Sequence, residues 1–152
     1  MCAGLYKEEL MPTTRRNILY IRCSDGRSRR PESIREHCVH QIRAPGGILN
    51  PLYRAQNTTT DVSEEALAVL FLEDIETMVK LKNPDEIIVA SHHDCGAAAA
   101  LGYTHEEILQ RHRVFGFELR ERFQHITVTV MHETHSECGE YDHVHQMVAQ
   151  MS

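Results

Sequence analysis

Apolar residues fall in short runs of two different periods, separated by turn-forming clusters. Residues 17–23 (Asn-Ile-Leu-Tyr-Ile-Arg-Cys) predict a short strand, since Ile18, Leu19, Tyr20 and Ile21 are all strand-compatible. Residues 24–30 form a polar turn containing Gly26, after which Pro31 suits the first turn of a short helix with Glu32 at its positive end. A second strand is expected at 39–43, ended by Ala44-Pro45-Gly46-Gly47, and residues 50–60 read as a loop. Asp61-Val62-Ser63-Glu64 matches a capping box. The apolar positions that follow, at 66, 67, 69–72, 75, 78, 79 and 81, make a stripe wider than one core face needs, which predicts a helix over about 63–82 buried on more than one side and stopped by Asn83-Pro84.

Residues 86–90 (Glu-Ile-Ile-Val-Ala) predict a third strand, 91–96 a turn, and 97–101 the start of a helix with small side chains. Thr104-His105-Glu106-Glu107 opens another helix, with Ile108, Phe115, Leu119 and Phe123 on one stripe. Residues 126–131 alternate as a fourth strand, and 141–151 read as a short helix. Strands alternating with helices predict an α/β domain: a mainly parallel central sheet of four to five strands flanked by helices, one domain over 1–152 with 1–16 as an N-terminal arm. Such sheets bind ligands at the carboxyl ends of their strands, where the two Cys-containing turns at 23–27 and 91–96 fall.

Composition narrows the function. The 152 residues suffice for one self-supporting core. With 16 Lys and Arg against 22 Asp and Glu, a nucleic-acid partner is not expected; a small-molecule substrate is. Apolar stretches fall far short of the ~20 residues that span a bilayer. Met1 to Thr14 carries Lys7, Glu8 and Glu9 where a signal peptide is apolar, so no membrane association and a cytoplasmic location are expected. The five Cys, at 2, 23, 38, 95 and 138, are odd in number and irregularly spaced, so they cannot form a complete disulfide framework within one chain. Cys2 is expected to be a free thiol and Cys38 a small core residue.

The candidate chemistry lies in two turns. Cys23 ends a strand beside Arg22 and Arg27, which fits an activated thiolate, a metal ligand or an inert buried thiol. His92-x-x-Cys95 in a strand-to-helix turn brings an imidazole and a thiolate within reach of one ion. With Cys23 the set becomes two Cys and one His, three ligands with an exchangeable fourth position, which is the pattern of a catalytic zinc site. Asp25 is the candidate for the fourth position, and Arg27 could hold it off the metal in a charge-assisted pair.

Three segments, Cys23-Ser24-Asp25-Gly26-Arg27, Arg43-Ala44-Pro45-Gly46-Gly47 and His92-His93-Asp94-Cys95-Gly96, resemble in order and context the signature segments of β-class carbonic anhydrases. The resemblance covers about residues 17–101. It implies a parallel sheet with helices, assembled as a homodimer or a multiple of dimers. It implies Zn2+ held by Cys23, His92 and Cys95, with Asp25 and Arg27 as the catalytic pair and Asp25 as fourth ligand in a closed state. The implied reaction is the reversible hydration of carbon dioxide to bicarbonate by hydroxide on zinc. Gly26 stands where members usually carry Ser, and Ala44-Pro45 where they carry Asn-Ala.

Other readings remain open. Cys23 to Arg29 fits the Cys-x5-Arg loop of tyrosine phosphatases, although Arg30 stands where Ser or Thr is usual. The zinc site could act on carbonyl sulfide or carbon disulfide, or serve a non-catalytic zinc-binding dimer. His93 is a candidate proton shuttle, with a solvated role preferred. His132-x-x-His135-x-x-Cys138, with His143 and His145, has the spacing of a second metal site, with a strand end and exposed loop preferred.

Overall fold

The computed structural model describes residues 15–24, 34, 36–58, 61–135 and 143–151, with the backbone alone for residues 135 and 143–151. Five strands form one sheet: β1 (Asn17–Cys23), β2 (Cys38–Ala44), β3 (Glu86–His92), β4 (Thr127–His135) and β5 (His143–Met151), in the order β2-β1-β3-β4-β5. The first four pair in parallel, and β5 runs antiparallel to β4. The helices are α1 (Asn50–Asn57), α2 (Glu64–Lys82), α3 (Gly96–Ala100) and α4 (His105–Arg122), with a 3-10 turn at Gly47–Leu49 before α1.

The continuous apolar runs in β1 and β3 divide between two faces because side chains alternate along a strand. Leu19, Ile21, Ile87 and Val89 join Phe71, Ile75 and Leu119 in one cluster, whereas Ile18, Tyr20, Ile88 and Ala90 join Ile34 and Met131 in another. On α2 the buried residues are Leu67, Phe71, Ile75 and Val79, spaced by one turn. Each such side chain contributes roughly 1.5–3 kcal/mol on full burial. Of the rest of the wide stripe, Leu72 and Met78 are partly buried against the same cluster, whereas Val69 and Leu70 are 54% exposed and Leu81 70%.

The helix ends follow local chemistry. Ser63, rather than Asp61, caps α2, its hydroxyl accepting from Ala66 N at 3.2 Å. The N3 residue is Ala66, which has no side chain to reach back, so α2 carries a single N-cap bond and not the capping box expected at 61–64. Glu64 and Glu65 lie in the first turn and Lys80 and Lys82 in the last, matching the helix dipole, and Asn83 ends the helix in left-handed conformation. Thr104 and Glu107 form the full reciprocal box of α4.

Two segments differ in type from the sequence reading. Residues 50–57 are helix rather than loop, because Pro51 sits in the first turn, where its missing N–H costs nothing. Residues 143–151 form a strand rather than a helix, pairing along the open edge of β4 with a register shift at Val130/Met131. β3 runs on through Ser91 and His92, so both lie in the sheet rather than in a turn. Cys38 is half-buried on the edge strand β2 and disulfide-bonded, not a core residue; its partner lies outside the described residues. The short helix expected after Pro31, with Pro31 and Glu32, falls on residues outside the described ones.

β1 leads outward to β2 on one side, and β3 leads outward to β4 on the other. Strand order therefore reverses between β1 and β3, and a crevice opens at their carboxyl ends.

Candidate metal centre

Cys23 is the last residue of β1 and His92 the last of the adjacent parallel strand β3. Beyond His92 the chain turns through Asp94 in left-handed conformation, φ +57°, a geometry Asp tolerates better than most residues, and this returns Cys95 to the N-terminal end of α3. One donor atom from each of Cys23, His92 and Cys95 lies within 4.8 Å of the others. All three are buried, at 8%, 3% and 8% exposure.

The surroundings suit a cation. The Gly46 N–H donates to Cys23 Sγ at 3.2 Å, which favours a thiolate there. Gly46 has φ +83°, and a Cβ on it would stand 2.8 Å from the Ala97 Cβ, so only glycine lets the loop approach α3 this closely. The Cys95 thiol is pushed well above the usual thiol range, first by its hydrogen bond with Cys23 and then by burial, while the amides of Ala98 and Ala97 oppose the shift. Two sulfurs this close retain a proton between them unless a positive charge offsets both. His92 Nδ1 lies 2.7 Å from the His93 carbonyl, which can only accept, so Nδ1 carries the proton and Nε2 the lone pair. Two thiols and an imidazole so oriented fit a soft divalent ion.

These residues line a cavity of about 10 Å³, room for one ion or one water. Its wall includes a residue the sequence reading passed over, His112 on α4. His112 is 2% exposed, and burial pushes its imidazole down to about 4. Its position, four residues after Ile108 and seven before Leu119 on the apolar stripe of α4, signals burial but not membership of the centre.

A second polar layer lies behind the centre. Buried Ser91 Oγ is 2.7 Å from His132 Nδ1, and the His132 ring packs edge-on against His105 with centroids 4.7 Å apart. Beside it, the Tyr20 hydroxyl donates to Glu133, whose other oxygen is 3.3 Å from an Arg22 guanidinium nitrogen; Arg22 in turn stacks on the Tyr20 ring at 4.7 Å. Burial and then the Glu133 charge push the Tyr20 hydroxyl up. His93 is 58% exposed and pairs with Asp94 at 3.3 Å, in keeping with the solvated role.

Asp25, Gly26, Arg27, Arg29 and Cys138 lie outside the described residues. The phosphatase reading would leave His92 and Cys95 unused, although both surround the Cys23 sulfur. Of the C-terminal histidines, His132 is committed to Ser91. Among the described residues, the group of donors close enough to share an ion is Cys23, His92 and Cys95.

The fold is similar to that of solved carbonic anhydrases. The carbonic anhydrase from Glaciozyma antarctica is 17% identical over 97% of this chain and 88% of that one, with a TM-score of 0.54. One of two tetrameric β-carbonic anhydrases from the filamentous ascomycete Sordaria macrospora is 17% identical over 90% and 82%, with a TM-score of 0.52. The carbonic anhydrase from Streptococcus mutans is 16% identical over 96% and 88%, with a TM-score of 0.51. The chain has a β-carbonic-anhydrase-like fold. At this identity the likeness is one of fold. No protein-family model matches the sequence, and no curated protein matches it significantly. Within the β-carbonic-anhydrase-like fold, Cys23 and His92 sit at the crevice where strand order reverses. No described helix is long and apolar enough to cross a membrane.

Proposed function

We propose that this chain is a zinc-dependent enzyme that reversibly hydrates carbon dioxide to bicarbonate. The observation that carries this reading is the buried Cys23, His92 and Cys95 triad at the adjoining carboxyl ends of β1 and β3. Two thiolates and one imidazole select zinc over magnesium or calcium, and three protein ligands leave a fourth position for chemistry. Zinc bound there would supply Lewis acidity, lowering the pKa of water to about 7.

The chain's own residues do the rest. The Gly46 N–H and the His93 carbonyl hold Cys23 and His92 in the charge and tautomer a metal needs. Leu49, Ala97 and Ala98 pack against the two Cys and exclude bulk water, which strengthens every charge interaction inside. We assign Asp25 to accept the hydrogen bond that orients the attacking water, and Arg27 to fix Asp25. The exposed apolar residues Val69, Leu70, Val114 and Phe117 on α2 and α4 support a second copy of the chain as partner.

Stopped-flow carbon dioxide hydration on zinc-quantified protein tests the reading across pH. Activity proportional to zinc, and lost in Asp25→Asn with zinc retained, is expected. Zinc without hydration at any pH would leave a non-catalytic zinc protein. Hydration absent but carbonyl sulfide turned over would move the substrate to that analogue.

A further inference from the structure

We propose that His112 is a positioning residue of the metal centre: its Nε2 accepts a hydrogen bond from whatever occupies the metal's open position, and so favours ligands that carry a proton over ligands that carry none. This rests on the metal-centre reading above and adds a specificity device to it.

Three observations combine. His112 lines the same small cavity as Cys23, His92 and Cys95, yet is not among the three whose donor atoms lie within 4.8 Å of one another. It therefore faces the centre from beyond the ligand set rather than belonging to it. Its Nδ1 lies 2.7 Å from the Ile108 carbonyl one turn back on α4, and a carbonyl only accepts, so Nδ1 is the donor. A neutral ring fixed this way offers only a lone pair at Nε2.

That Nε2 is buried and finds no hydrogen-bond partner among the described residues. Buried polar atoms without partners are rare and costly, which points to a group that meets this one inside the cavity. The other polar side chain in the wall, Ser91, is committed to His132 and the Met131 carbonyl. Leu49, Ala90 and Ile108 supply apolar wall. Beyond the ligand set, His112 is thus the wall residue of this space of about 10 Å³ that keeps an uncommitted polar side-chain atom.

An acceptor in that place discriminates. Water, hydroxide or bicarbonate can present an O–H to it, whereas azide presents only lone pairs, which repel its own. The test is ligand binding, not turnover: cobalt-substituted protein is titrated with sodium azide and with sodium bicarbonate, following the visible spectrum, for the parent, His112→Leu and His112→Gln. Leu removes the acceptor, and Gln places a rotatable amide near the same point. Both variants are expected to keep one metal per chain and to shift the azide-to-bicarbonate affinity ratio toward azide by about fivefold to tenfold, the worth of one hydrogen bond. A merely structural role would move both anions together. An unchanged ratio in both variants overturns the proposal, as does loss of metal from folded His112→Gln, which would make His112 a ligand. Failure of the parent to bind cobalt or zinc would instead defeat the metal-centre reading itself.

Discussion

Replacing Gly46 by alanine tests whether the loop after β2 is built around the Cys23 sulfur. Gly46 has φ +83°, where an alanine costs about 1–2 kcal/mol. The new Cβ would stand 2.8 Å from the Ala97 Cβ, closer than real Cβ contacts come, so the loop or α3 must move. Overpacking of that kind costs about 1–3 kcal/mol more. The movement falls on the metal centre from both sides, because Ala97 follows Cys95 by two residues and the Gly46 N–H is bonded to Cys23 Sγ. Losing a hydrogen bond to a charged sulfur is worth about 1.5–3 kcal/mol, or roughly ten- to a hundredfold in metal affinity. Gly102→Ala is the control: φ is +72°, but a Cβ there would meet nothing within 4 Å, so only the backbone cost applies. Urea denaturation gives the stabilities, and competition with a chelator gives zinc affinity. Gly46→Ala is expected to lose clearly more stability than Gly102→Ala, and to be the one of the two that binds zinc more weakly. Equal stability losses with parental zinc affinity in both would refute the reasoning.

Three further outcomes follow from the same packing. Glu133→Ala removes the carboxylate from buried Tyr20 and Arg22 and should cost about 3–5 kcal/mol, read as a fall in the urea midpoint; a loss under about 1 kcal/mol would mean the pair contributes little. Thr104→Ala deletes one half of the α4 capping box and should cost about 1 kcal/mol with zinc binding intact, which denaturation and metal analysis together check. His112 and His132 are both pushed down to about 4 mainly by burial, whereas unfolded histidine titrates near 6.5. The unfolded chain therefore takes up protons first as pH falls, so metal-free protein should lose stability between about 6.5 and about 4, by up to roughly 3 kcal/mol from His112. A flat stability profile across that window would show that the two rings are not held neutral.

How much of this was legible in the sequence depended on how local each signal is. β1, β2, α2, β3 and α4 were readable because short apolar runs, turn-forming clusters, capping residues and the Asn83-Pro84 stop act within a few residues of the chain. α1 was missed because Asn50-Pro51 reads equally as a breaker or as a helix start, and the packing of Asn50 and Pro51 into the interior decides between them. β5 was missed because its conformation depends on the unpaired edge of β4, which the segment itself does not reveal. The triad could be read from Cys23 and His92-x-x-Cys95 because both turns follow apolar strands; that the strands are neighbours emerged only from the sheet order. His112 could not be read as part of the centre, since a histidine on an apolar stripe becomes informative only when the fold sets it in the wall of the same cavity.

Zinc K-edge X-ray absorption on metal-quantified protein tests the central claim most directly. One zinc per chain, with two sulfur neighbours at about 2.3 Å and nitrogen or oxygen neighbours at about 2.0–2.1 Å, is the expected result. A first shell without sulfur, or zinc retained unchanged in Cys95→Ser, would contradict a centre built from Cys23, His92 and Cys95.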